Sequence, residues 1–139
     1  MNWRQHLFWG IIVISAGFLF LLKLNIFKLQ YLLFVPYLLF LSLFPDIDSK
    51  KSKARKIIYI LLFLSIISIS FSVLFKFLYI LFIPIPIILI FIIGNLKHRS
   101  ITHNPIIGLV LSLPLLYFSF GLFLISFITF FSHLFLDWL

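Results

Sequence analysis

Long apolar runs separated by short polar stretches make up most of the chain. The apolar runs cover residues 7–22, 29–44, 57–75, 77–96 and 105–136, and the main polar stretches are 45–56 and 97–104. Runs of this length and low charge are typical of membrane-spanning helices. The pattern therefore predicts an all-helical integral membrane protein, with polar loops at 45–56 and 97–104.

The last apolar run is too long for one helix. A single helix over residues 105–136 would rise about 48 Å, whereas the hydrocarbon core is roughly 30 Å thick. Pro114 and residues 117–121 offer a turn inside this run. We therefore predict helices at about 105–118 and 121–136, and a bundle of about six short transmembrane helices in a single domain over residues 1–139. Five helices are the alternative.

Six crossings bring the rare ionisable side chains to one side of the membrane. Every histidine and every acidic residue then lies on the side where the chain starts: His6, Asp46, Asp48, His98, His103, His133 and Asp137. Most cations share that side (Arg4, Lys50, Lys51, Lys53, Arg55, Lys56, Lys97 and Arg99), against Lys23, Lys28 and Lys76 on the other. Positive residues accumulate on the cytoplasmic side. We therefore expect a protein of the inner membrane whose polar motifs and both chain ends face the cytoplasm.

Composition narrows the chemistry that is available. Hydrophobic residues make up 64% of the chain and charged residues 10%, whereas soluble proteins carry about a quarter charged residues. The absence of cysteine excludes disulfides and thiolate chemistry. Any metal must therefore be held by histidine and carboxylate. Anchoring to lipid headgroups explains the net charge of +8, so nucleic acid is not expected as a partner.

The motif SHLFLD at residues 132–137 pairs an imidazole with a carboxylate. His133 and Asp137 are four positions apart, so they share one face of the predicted helix and can bind one metal ion. Alternatively, Asp137 orients His133 without binding metal itself. A helix end whose polar groups meet lipid headgroups is a further interpretation.

The motif HRSITHN at residues 98–104 places two histidines around an arginine. A loop can turn both His98 and His103 inward, and Arg99 can hold a phosphate bidentately. Asn104 before Pro105 predicts a helix start, with Asn104 as the N-cap. A basic loop that contacts lipid headgroups is the alternative.

Two acids follow the second apolar run. In an extended stretch Asp46 and Asp48 face the same way, so their carboxylates can converge on one or two cations. Simple balance of the neighbouring positive charge is the alternative. His6 is ambiguous by itself, because a histidine between Trp3 and Trp9 suits an interfacial aromatic belt.

The order of these motifs resembles the YdjM-like family of small membrane-bound, metal-dependent hydrolases. The family blocks are G-H, L-P-D-I-D, H-R-G-x-T-H-S and S-H-x-x-x-D. The matching residues here are His6, Asp46, Asp48, His98, Arg99, Thr102, His103, His133 and Asp137. Gln5 and Ser100 replace family glycines, and Asn104 replaces the final serine. The sequence ends two residues after Asp137, where many relatives continue, so we expect any ligand in that tail to be missing.

The resemblance, with a more distant similarity to soluble zinc phospholipases C and single-strand nucleases, implies phosphoester hydrolysis. The expected metal ligands are His6, Asp46, Asp48, His98, His103, His133 and Asp137. Zinc suits these ligands best, with manganese or iron as alternatives. Arg99 would hold the substrate anion, and an aspartate that does not bind metal, with Asp48 the candidate, would act as the base. Thr102, Asn104 and Ser132 are expected to support the site.

Several apolar runs are shorter than the roughly twenty residues of a full crossing, which implies a site recessed below the headgroups. A recessed site favours a phospholipid or isoprenoid phosphate as substrate, with membrane lipids as partners.

Two other functions are compatible with the pattern. A metal or proton transporter would instead need ionisable groups at mid-membrane depth. A structural membrane protein would need no metal at all, so metal content separates it from the other two.

Overall fold

Every described element is helical. The structure is a computed structural model that describes residues 3–48, 53–73 and 102–138. The elements are α1 (Trp3–Lys23), a 3-10 helix (Leu29–Phe34) that continues into α2 (Val35–Leu43), a second 3-10 helix (Phe44–Asp48), α3 (Lys53–Val73), α4 (Pro105–Leu116) and α5 (Phe120–Trp138). The all-helical class is thereby confirmed. The helix predicted at 77–96 lies outside the described residues.

Three of the described helical stretches are long and apolar enough to cross a membrane. They are Trp3–Lys23, Leu29–Asp46 and Phe120–Trp138, while Pro105–Leu116 is apolar but shorter. Large apolar side chains such as Phe8, Leu19 and Phe131 point outward, as expected where lipid replaces water. The count of about six crossings stays a prediction.

The charge-free stretch after residue 104 folds as two helices. A short turn at residues 117–119 separates α4 from α5. Asn104 is the N-cap of α4, as predicted, because its side chain accepts a hydrogen bond from the backbone N–H of Ile106 at 2.9 Å. Pro105 occupies the first helical position, where its missing N–H costs nothing.

The polar loop predicted at 45–56 is shorter in the structure. The chain remains helical through Pro45 as far as Asp48, and α3 already begins at Lys53. Pro45 has no N–H for an α-helical hydrogen bond, and 3-10 geometry is common at helix ends. Lysine and arginine are good helix formers, so α3 extends beyond its apolar part into the basic stretch.

Helix α5 occupies the centre of the described bundle. It packs against α1, α2 and α4, while α2 also packs against α1 and α3. Close approaches occur at glycines: a β-carbon on Gly10 would lie 2.6 Å from the Ser42 Cβ, and one on Gly17 would lie 2.6 Å from the Ile125 Cγ1. Small residues permit such contacts between membrane helices.

The direction of the helices determines where the site forms. His6 of α1 stacks on His133 of α5, whereas Gly121 at the start of α5 lies against Leu21 near the end of α1. These two helices are therefore antiparallel. The start of α1 and the end of α5 lie at the same end of the bundle, together with the 3-10 helix that follows α2.

Candidate metal centre

The carboxylate of Asp137 lies close to the side chains of three histidines. Its Oδ1 lies 3.1 Å from the His6 Nε2, and its Oδ2 lies 3.1 Å from the His103 Nε2 and 3.4 Å from the His133 Nε2. The His133 Nε2 also lies 3.7 Å from the Asp46 Oδ1. Side chains that are far apart in sequence therefore converge at one end of the bundle.

The ring of His133 is held in one tautomer. Its Nδ1 lies 2.7 Å from the backbone carbonyl oxygen of Ser42. A carbonyl can only accept, so the hydrogen-bond network assigns the proton to Nδ1. A neutral ring then directs the lone pair of Nε2 towards Asp137 and Asp46. This nitrogen is buried and has no hydrogen-bond partner in the described part of the chain.

His6 forms the other buried part of the centre. Its ring lies parallel to that of His133, with centroids 3.8 Å apart. Among the described residues neither buried ring nitrogen of His6 has a hydrogen-bond partner, although its Nε2 lies 3.1 Å from Asp137. The burial contradicts the interpretation of His6 as an aromatic-belt anchor at the membrane surface.

His103 approaches from the turn before α4. Its Nδ1 lies 3.2 Å from the hydroxyl of Thr102, which is buried. A hydroxyl can donate or accept, so Thr102 can hold the ring in either tautomer while Nε2 faces Asp137. Thr102 thus positions a histidine of the centre from outside it.

Exposure divides the centre into a floor and a rim. The side chains of His6 and His133 are 0% and 1% exposed, whereas those of Asp46, His103 and Asp137 are 24–26% exposed. The buried rings therefore lie behind three polar groups that remain accessible. Catalytic metal sites keep an open side of this kind, and structural sites are closed.

Distances and donor types fit a bound divalent ion. The candidate ligand atoms of His6, His133 and Asp137 all lie within 4.8 Å of one another. Tetrahedral ligands at the bond lengths of zinc lie about 3.3 Å apart, close to the 3.1 and 3.4 Å found here. A cation would also give the Nε2 of His133 and one ring nitrogen of His6 a partner.

The structure brings together five of the predicted ligands: His6, Asp46, His103, His133 and Asp137. His98 and Arg99 lie outside the described residues. Asp48 ends the second 3-10 helix, and its side chain also lies outside what the structure describes. The expected extended stretch is wrong, because residues 44–48 form a 3-10 helix.

Two supporting residues act locally. Asn104 caps α4, and the hydroxyl of Ser132 donates to the backbone carbonyl of Thr129 at 2.8 Å. The hydroxyl of Ser132 is therefore engaged within its own helix. Among the described residues, no contact connects Ser132 with the centre that it was predicted to support. This makes it a suitable control position.

Sequence reasoning missed Ser42 and Gly10. Ser42 contributes a backbone carbonyl, which every residue type carries, so no side-chain pattern could indicate it. Gly10 lies one helical turn after His6 and brings α1 against Ser42. The signal for Gly10 was a small residue four positions from a histidine in an apolar helix.

Replacing Thr102 with valine tests the orientation of His103. Valine keeps the shape of the side chain but leaves the His103 Nδ1 without its hydroxyl. We expect divalent-metal affinity to fall about tenfold, as for other groups that orient metal ligands. A chelator-competition titration measures this, with Ser132→Ala as the control that retains full affinity. Equal affinity in both variants would show that Thr102 does not position His103.

The fold and the site define a class: a helical membrane protein with a histidine–carboxylate group at one end of its bundle. The chain belongs to the YdjM inner membrane protein family, whose model matches residues 1–139. This confirms the family indicated by the motifs. No curated protein and no solved structure matches the chain.

Proposed function

We propose that this protein is a metal-dependent hydrolase of the inner membrane that cleaves a phosphoester of a phospholipid or an isoprenoid phosphate. One observation carries the proposal. Two buried histidine rings present unpartnered nitrogens to a carboxylate that is itself partly exposed. Such a group suits a metal ion that is bound by buried histidines on one side and is accessible to a substrate on the other.

His6, His133 and Asp137 are the proposed ligands, with His103 and Asp46 as further donors at the rim. Zinc is the preferred metal, with manganese or iron as alternatives, because all donors are nitrogen or oxygen. A divalent ion bound there supplies Lewis acidity for phosphoester hydrolysis. Helix α5 ends at this group, and the negative end of a helix dipole favours a cation.

The chain's own residues would bind the substrate and handle the proton. Asp46 lies at the accessible rim, 3.7 Å from the His133 Nε2, where a carboxylate can accept a proton from water. Asp48 keeps its predicted role as an alternative base, and Arg99 keeps its predicted role in holding the phosphate anion.

A site near the ends of its helices supports a substrate at the membrane surface. His133 lies five residues before Trp138, at the end of α5, which corresponds to about 7.5 Å along the helix. Helices α1 and α3 begin near the same end, with Arg4 in the first turn of α1 and Arg55 and Lys56 in the first turn of α3. Positive residues favour the cytoplasmic side, so we propose that the site faces the cytoplasm.

Hydrolysis of defined lipids, followed by separation of the lipid and water-soluble products, tests the proposal. The detergent-purified protein is incubated with phosphatidic acid, phosphatidylglycerol and an isoprenoid monophosphate, with and without added zinc or manganese. We expect metal-dependent product release, reduced about tenfold or more in His103→Ala. Ser132→Ala serves as the control. Equal activity in wild type and His103→Ala across all lipids and metals would contradict the assignment.

A flux assay separates the main alternative. A transporter would move metal ions or protons across proteoliposomes that contain the protein. Hydrolysis without flux supports the enzyme, whereas metal-dependent flux without hydrolysis would replace it with a transporter. Neither activity, together with no bound metal, would favour a structural role.

A further inference from the structure

An open groove lies between α1 and α5, away from the candidate metal centre. It has a volume of about 940 Å³ and is lined by Ala16, Gly17 and Phe20 from α1 and by Gly121, Leu124 and Ile128 from α5. Pockets for small ligands span about 300–1,000 Å³. The small residues leave the space that longer side chains would fill. The lining extends from Val13 to Leu24, about 16 Å along α1.

The turn after α1 forms one end of the groove. Asn25 adopts a left-handed conformation with φ 57°, and the N–H of Ile26 donates to the carbonyl of Leu21 at 3.1 Å. This is a Schellman ending, in which Asn is one of the few residues tolerated. The turn carries Lys28 to the groove. The end of α1 thus places the positive charge of Lys28 next to the apolar lining of the groove.

The polar lining of the groove is concentrated at this end. Lys28, Asn25 and Ser119 line it together with the first residues of α5. The Ser119 Oγ accepts a hydrogen bond from the N–H of Gly121 at 3.1 Å, so it caps that helix. The remaining lining is almost entirely apolar. The groove therefore combines a cationic mouth with a long hydrocarbon-like body.

No acidic side chain of this protein can neutralise Lys28 locally. The sequence has only three acids: Asp137 and Asp46 belong to the metal centre, and Asp48 ends the same 3-10 helix as Asp46. Helix α1, with 21 residues, separates that end from the groove mouth by about 30 Å. The charge at the mouth therefore calls for an anion from outside the chain.

We propose that the groove binds one anionic phospholipid of the bilayer, with its phosphate against Lys28 and an acyl chain between α1 and α5. Charge complementarity selects the headgroup, and the apolar lining accepts the chain. The outward apolar side chains of Leu19 and Leu22 beside the groove, and of Leu24 in its lining, place its opening towards lipid. This site is independent of the metal centre and of hydrolysis.

Native mass spectrometry of the full chain in detergent tests headgroup selection. The protein is titrated with phosphatidylglycerol and with phosphatidylcholine that carry identical acyl chains. We expect the first phosphatidylglycerol to bind about fivefold more tightly, which corresponds to one lysine near an anionic headgroup. Lys28→Gln should abolish this preference. Lys23→Gln should retain it, because Lys23 ends α1 but does not line the groove.

A second pair of variants tests the apolar body of the groove. Ala16→Trp fills the space between α1 and α5, so both lipids should bind at least fivefold more weakly. Leu19→Trp adds the same ring to an exposed position outside the lining and should bind both lipids like wild type. Unchanged helical circular dichroism verifies folding, and Ala16→Leu replaces the tryptophan variant if that signal is lost.

Three results would overturn the proposal. Equal binding of both lipids by wild type would remove the headgroup contact. Equal losses in Lys23→Gln and Lys28→Gln would indicate diffuse surface charge instead of a site. Full lipid binding by a folded Ala16→Trp or Ala16→Leu variant would show that the acyl chain lies elsewhere.

Discussion

The variant Asp137→Asn is expected to bind divalent metal at least about a hundredfold more weakly than wild type. The substitution preserves the shape of the side chain but removes the charge that lies within 3.1–3.4 Å of three histidine nitrogens. The buried rings of His6 and His133 then lose a negative charge that lies close to both of them. The remaining donors hold a cation with less charge compensation.

Elemental analysis and chelator competition on detergent-purified protein measure this effect. Wild type should retain about one or two zinc or manganese ions per chain after zinc reloading, and Asp137→Asn should retain none after passage over a chelating resin. Ser132→Ala, on the same helix, should behave as wild type because its hydroxyl contacts the Thr129 carbonyl. Full metal retention by Asp137→Asn would exclude Asp137 as a ligand.

The variant Gly10→Ala is expected to lower metal affinity about ten- to a hundredfold without changing any ligand. A β-carbon at this position would lie 2.6 Å from the Ser42 Cβ and 2.7 Å from its Oγ, so α1 and α2 must move apart. Ser42 supplies the carbonyl that holds the His133 Nδ1 at 2.7 Å. A displaced Ser42 therefore releases the ring that this contact orients.

Gly17→Ala is the matched control for this prediction. It introduces the same methyl group on the same helix, 2.6 Å from the Ile125 Cγ1, at a contact remote from the metal centre. Overpacking should lower the free energy of unfolding of both variants by about 1–3 kcal/mol. Only Gly10→Ala should also lose metal affinity. Equal affinity losses would indicate a general loosening of the bundle instead of a specific contact through Ser42.

The two predictions address different parts of one centre. Asp137 belongs to its accessible rim, and Gly10 acts through the buried floor that His6 and His133 form. In the proposed hydrolase, a buried floor would fix ligand geometry, and a rim whose side chains are 24–26% exposed would admit a substrate.

Much of the architecture was accessible from the sequence because membrane helices require long apolar runs. Those runs predicted helices at 7–22, 29–44, 57–75, 105–118 and 121–136, which overlap the observed helices, and Asn104 with Pro105 indicated the start of α4. The spacing of His133 and Asp137 placed both on one helix face. Alternation of crossings placed His6, His103 and Asp46 at the same end as that pair.

Contacts between helices required the tertiary structure, because hydrophobic periodicity does not specify which faces meet. The stacking of His6 on His133 depends on antiparallel packing of α1 and α5 and on close approaches at Gly10 and Gly17. The tautomer of His133 depends on a backbone carbonyl, which has no sequence signature. The sequence determined which groups reach this end of the bundle; packing decided that two rings form a buried floor beneath accessible carboxylates.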